Sequence, residues 1–155
     1  MGENFTGVKN QKLTRLAVGL AVGLAAVVVV VAAELALVQP RELTAQLAGK
    51  GARPAVFMTG PNVLYRSKHI PGSVYAGPGM SEAGLAMLKA EAGKLPRDRE
   101  VVVYCGCCPW DRCPNVKPAV DLLKQMGFAK VKALYLATGF KVDWMDKGHA
   151  AEAPK

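Results

Sequence analysis

Four consecutive residues, Val101-Val102-Val103-Tyr104, limit what this chain can fold into more than any other stretch. All four are β-branched or aromatic, the types that fit a pleated surface. A strand with one wet face alternates apolar and polar residues, whereas this run is apolar on both sides, the pattern of a strand covered above and below in a parallel sheet. Parallel neighbours cannot be joined by a tight hairpin and need a crossover, usually a helix. The run therefore asks for an α/β layer fold, and the flanking sequence is consistent with one.

Upstream, Pro40 suits the first position of a short helix over 41–47, with Leu43 and Leu47 four apart and a stop at Gly49-Lys50-Gly51. A brief apolar strand is expected at 54–58, ended by the turn Thr59-Gly60-Pro61-Asn62. A turn or short helix at 65–68 and a tight turn at 69–73 lead into another short strand at Val74. Ser81 is an N-cap for a helix over 82–93, with Leu85, Leu88 and Ala92 on one face. After the central strand, the spacing predicts a helix over 116–126 with Val120, Leu123 and Met126 inward and Gly127 as its stop. A last strand follows at 131–136 and a final helix at 141–146. Strands alternating with helices, without internal repeats, predict a parallel α/β sheet flanked by helices.

The apolar run over 16–33 lies apart from this pattern. Its 18 residues carry no charge, follow Lys9, Lys12 and Arg15, and precede Glu34. As a helix it would extend about 27 Å, close to the hydrocarbon thickness of a bilayer. The basic flank predicts the N-terminus inside and the domain outside the cytoplasm. Val31 and Ala33 offer small residues for signal cleavage and secretion, while the valine run 27–31 and the lack of an Ala-x-Ala site favour retention as a membrane anchor. The chain thus divides into a cytoplasmic polar segment 1–15, a signal anchor or signal peptide 16–33, a domain over 38–149 and a tail 150–155. Residues 34–39 read as a juncture.

The full chain has 20 Lys and Arg against 12 Asp and Glu; removing three basic residues and Glu3 with the first 33 positions leaves 17 against 11, or +6. These charges are scattered and carry no interleaved aromatics, so a nucleic-acid partner is not expected. All four cysteines, Cys105, Cys107, Cys108 and Cys113, fall within nine residues. Such a cluster cannot staple distant parts of a fold, and its purpose is local chemistry. Cys105 comes directly after the central strand and shortly before a helix. That position lies beneath backbone N–H groups and the positive helix end, which stabilise a thiolate or a bound anion.

A Pro-x-Glu-Leu start at 40–43, the turn His69-Ile70-Pro71-Gly72-Ser73, the strand running into Cys105, Gly127-Phe128, and Gly139-Phe140 followed by Trp144 and Gly148 occur in this order. Together they resemble the rhodanese family. The resemblance implies a rhodanese-like, five-stranded parallel sheet flanked by helices, here preceded by an N-terminal hydrophobic helix. It also implies a sulfurtransferase passing a sulfane sulfur through a cysteine persulfide, with Cys105 as acceptor and Gly106, Cys107, Cys108, Trp110 and Arg112 forming the active loop. Partners implied are a small sulfur-donor anion such as thiosulfate, or a thiol or persulfide protein, with no cofactor.

Several alternatives stay open. Cys107 and Arg112 are spaced C-x4-R, which makes Cys107 the second choice of nucleophile. Cys107, Cys108 or Cys113 could resolve a persulfide or sulfenic acid on Cys105, or Cys113 could form a local disulfide with Cys107 or Cys108. The four thiolates Cys105, Cys107, Cys108 and Cys113 could instead hold zinc or copper in a binding module without turnover. Arg112 is either an anion-binding fork or an exposed partner of Asp111. Trp110 either lids the loop or packs it down, His69 is expected to fix its turn, and Trp144 to lie in the core. Phosphatase-like use of the loop is disfavoured, because Arg112 follows Cys105 at C-x6-R rather than C-x5-R.

Overall fold

The computed structural model describes residues 34–154. The expected membrane segment 16–33 and its basic flank lie outside the described residues, and no helix within them is long and apolar enough to cross a membrane. The chain from Glu34 onward runs β1 (Leu37–Val38), α1 (Pro40–Ala48), β2 (Ala55–Met58), α2 (Asn62–Ser67), β3 (Val74–Tyr75), α3 (Glu82–Gly93), β4 (Val101–Tyr104), α4 (Val116–Gln125) and β5 (Val131–Leu134). A 3-10 turn, Trp110–Arg112, interrupts the loop after β4, and a π-type turn, Lys141–Met145, follows β5. The strands form one parallel sheet in the order β1-β5-β4-β2-β3.

The β4 run takes the place its composition demands, between β2 and β5, with all four residues buried. Its period of two divides the core. Val101 and Val103 pack toward α3 and α4 with Leu88, Ala119, Val120 and Leu123. Val102 and Tyr104 face the opposite layer with Leu43, Ile70, Phe140 and Trp144. Cys105 continues the alternation onto the α4 side, in the same cluster as Val101 and Val103. Sheet geometry thus aims the cysteine toward the start of α4.

Tyr104 ties the 69–73 turn to β4: its hydroxyl accepts from the Ile70 N–H at 3.1 Å and lies 3.2 Å from Ser73 Oγ. Burial pushes this phenol up to about 12. His69 serves the same turn, as expected. Its Nδ1 sits 2.9 Å from the Tyr65 carbonyl and its ring stacks on Tyr65 with centroids 3.9 Å apart.

Some sequence expectations shift. The juncture 34–39 contains β1, which pairs with β5 through Leu37↔Ala133 and Val38↔Leu134. Two residues are too few to give a periodic signal. Helix α2 begins at Asn62, because Pro61 and Asn62 open a helix rather than close a turn. On α3 the Ser81 cap is present, its Oγ accepting from Gly84 N at 3.1 Å, but the buried stripe is Gly84, Leu88 and Ala92. Gly84 takes the inward place because a Cβ there would fall 2.0 Å from the Pro78 carbonyl oxygen, and Leu85 is only half-buried. Strand β5 ends at Leu134, where its partner β1 runs out. The final helix over 141–146 is a π-type turn, with Asp146 N donating to Lys141 O at 2.8 Å. Trp144 is core, 1% exposed, and its Nε1 donates to Ala150 O. The expected tail is held to the domain where Glu152 bridges His69.

Candidate active site

The polypeptide leaves β4 at Tyr104 and turns at once. Gly106 adopts φ +78°, and a Cβ there would come 2.6 Å from Phe140 Cβ. Only glycine lets the loop reverse this close to the aromatic layer. The Gly106 carbonyl accepts from Phe140 N at 3.2 Å, pinning the turn. On the other side of the sulfur lies Gly60, where a Cβ would stand 2.9 Å from Cys105 Sγ. A side chain at 60 would occupy the space that the thiol uses.

Three sulfurs meet in this space. Cys105, Cys107 and Cys113 bring their Sγ atoms within 4.8 Å of one another. Cys105 is 2% exposed and donates to Cys107 Sγ at 3.1 Å. Cys107 is exposed, and Cys113 is half-buried against the α4 side of the core. Cys108 meets this trio at one edge only: its sulfur lies 2.8 Å from Cys107 Sγ and 3.9 Å from the Arg112 carbonyl but does not share the 4.8 Å cluster. All four cysteines are free thiols.

Asn115, which the sequence reading passed over, completes the site. It occupies the N-cap position of α4 but makes no side-chain cap. Its side chain, 2% exposed, turns back, and Nδ2 donates to Cys105 Sγ at 3.3 Å and to Cys107 Sγ at 3.9 Å. Oδ1 accepts from Met80 N at 3.1 Å, which fixes the amide orientation. An asparagine directly before a helix suggests a cap, so the sequence signal was present but pointed to the commoner use.

The charge distribution differs from the sequence expectation. The negative charge favours Cys113, whose thiol is lowered from 9.0 to about 5 by the hydrogen bond from Cys105 and by the backbone N–H groups of Asn115 and Val116 at the α4 start. Cys105 is raised, first by its interaction with Cys113 and then by burial and by Cys107. The two titrate as a pair that shares a proton, with Cys105 favoured to hold it and Cys113 favoured to carry the charge. Cys108 is pushed up to about 12 by burial and by its hydrogen bond with Cys107. The helix N-terminus that was expected to act on Cys105 acts on Cys113, because the loop ends with that residue beside the first amides of α4.

Trp110 packs the loop down, against the core and against Tyr135 with ring centroids 5.5 Å apart, and its backbone N–H donates to Ala137 O at 3.3 Å. Arg112 is exposed at the end of the 3-10 turn and makes no ion pair with Asp111 among the described residues. A cavity of about 600 Å³ lies elsewhere, lined by α1, the start of β2 and the end of α3, and contains no cysteine.

Asn115→Ala is expected to destabilise the domain by about 1–3 kcal/mol, since it orphans the Met80 N–H and removes a donor from the thiols. Denaturant unfolding checks this.

The family model for the Rhodanese-like domain matches residues 40–146. A search of curated proteins returns no significant match. Among solved structures, the BH2092 protein of Bacillus halodurans superposes with a TM-score of 0.59 at 20% identity, over 76% of this chain and 77% of that one. The rhodanese-like domain of the Alr3790 protein from Anabaena sp. gives 0.57 at 22% identity, over 79% and 81%. The single-domain sulfurtransferase RDL2 of Saccharomyces cerevisiae gives 0.56 at 14% identity, over 76% and 94%. At these identities the likeness speaks for the fold, while the match over 40–146 speaks for membership: the chain belongs to the rhodanese-like domain family.

Proposed function

We propose that this domain is an extracytoplasmic sulfurtransferase or sulfur carrier that holds a sulfane sulfur as a persulfide on Cys105. The observation that carries the reading is Cys105 Sγ itself, buried at the end of the central strand between Gly60, the Asn115 amide and two further thiols. A persulfide needs a water-poor pocket with fixed donors, and Asn115 Nδ2 supplies one.

Loading proceeds as Cys105 passes its proton to the Cys113 thiolate and attacks the outer sulfur of a donor anion such as thiosulfate. The donor S–S bond breaks and sulfite leaves with the electron pair. Because Cys105 is 2% exposed and Cys107 lies in solvent 3.1 Å away, Cys107 is the route outward. Cys107 attacks the outer persulfide sulfur while its proton passes to the departing Cys105 sulfur, and the sulfane sulfur stands on Cys107 for an acceptor thiol. Arg112, exposed on the same loop, supplies a charge for the incoming anion. The uncharged run 16–33 behind a basic flank supports tethering at a membrane with the domain outside the cytoplasm.

Intact-mass measurement of the full chain after thiosulfate treatment tests the reading. A gain of ~32 Da, one sulfur atom, that cyanide removes with formation of thiocyanate is expected. An unchanged mass together with no thiocyanate would sink it.

A further inference from the structure

Three thiols that share one pocket, with a fixed amide behind them, suit a second ligand besides sulfur. An ion bound by thiolates at about 2.3 Å sets its sulfurs ~4 Å apart in a three-coordinate plane. Cys105, Cys107 and Cys113 already hold their sulfurs within 4.8 Å of one another, so small rotations of their side chains would close on such an ion. Soft thiolate sets select copper(I) and zinc over hard cations. Cys108 lies outside the trio, which leaves three ligands where the sequence alone had offered four.

The hydrogen-bond donors behind the sulfurs are also in place. Asn115 Nδ2 donates to two of the three sulfurs, and its own orientation is fixed by the Met80 N–H. Donors of this kind orient thiolate ligands and offset their negative charge.

We infer that Cys105, Cys107 and Cys113 form a three-thiolate site for a thiophilic d10 cation, copper(I) or zinc(II), and that the ion and the sulfane sulfur exclude each other. Binding releases to solvent the protons still carried by the three sulfurs and changes no oxidation state. The exclusion follows from shared atoms, since an ion bonded to Cys105 Sγ draws electron density from the sulfur that attacks a donor and fills the space of the outer persulfide sulfur. Only this competitive part rests on the sulfur-transfer reading; the metal site stands on the trio itself.

The test uses the reduced full chain under anaerobic conditions. Copper(I) and, separately, zinc(II) are titrated against colorimetric chelators, and the sulfur coordination number is read by X-ray absorption. The expected result for at least one ion is a one-to-one complex with three sulfurs in the first shell. Serine at Cys105, Cys107 or Cys113 should each weaken it by more than the ~10–100-fold lost when a residue that only hydrogen-bonds to a ligand is changed, and Cys108→Ser by only a few-fold. The absence of a one-to-one complex with either ion overturns the inference, as does a loss at Cys108→Ser equal to the others. Thiocyanate formation by the metal-free chain is measured in parallel. Binding without transfer leaves the metal site standing and removes the sulfur-transfer reading; transfer without binding does the reverse.

Discussion

Replacing Cys105 with serine is expected to lower thiosulfate-to-cyanide sulfur transfer by about a thousandfold or more and to abolish the ~32 Da mass gain. The hydroxyl keeps the shape of the side chain but is neither acidic enough to pass its proton to Cys113 nor able to carry a sulfane sulfur. Cys107→Ser separates loading from delivery. The buried Cys105 should still load, giving the mass gain, while transfer to a bulky thiol acceptor falls, because the remaining sulfur is 2% exposed. The opposite pattern, with full turnover in Cys105→Ser and none in Cys107→Ser, would assign the nucleophile to Cys107 and remove the relay.

The second large effect concerns pH. With Cys113 lowered to about 5, its thiolate is present above that pH and accepts the Cys105 proton during attack. The rate of loading should therefore hold from neutrality down to about pH 5 and fall below it. In Cys113→Ser the acceptor is gone, and Cys105 must ionise alone in a buried setting, no lower than the ordinary thiol value of ~8.5. The acid limb should move up from about 5 toward that value, so that the rate of the variant still climbs between pH 7 and ~8.5, where the native profile is flat. A profile unchanged in Cys113→Ser would exclude it as the proton acceptor. Stability follows the same group. A pKa lowered on folding contributes stability that is complete above the ordinary value of 9.0, declines as the pH falls, and is lost below about 5. Acid unfolding of the native chain should accordingly show a dependence between pH 9 and 5 that Cys113→Ser lacks.

The metal inference bears on both experiments. A chain purified with a d10 ion on its three thiols would show neither loading nor the acid limb, so chelation before assay should raise turnover.

Much of this was readable from residue types. The Val101–Tyr104 run is apolar on both faces, and burial on both faces is a property of composition that any parallel sheet must satisfy. Ser81, Pro40 and Gly127 marked helix limits because their backbone preferences act locally. The position of Cys105 followed from the same logic, as the residue after a strand whose side-chain period is two.

Contacts across the chain decided the rest. Strand β1 exists only because β5 offers Ala133 and Leu134 as partners, and two residues carry no period of their own. Gly60 matters because it lies against a sulfur 45 positions later, and Asn115 because its amide finds two thiols and the Met80 N–H instead of its own helix. The four cysteines were visible as a cluster. Which of them share a pocket, and that Cys105 and the α4 amides lower Cys113 while Cys113 and burial raise Cys105, depended on how the loop folds back onto α4. Spacing along a chain sets which atoms can meet, but the charge a thiol carries depends on distances and burial that only the closed structure supplies.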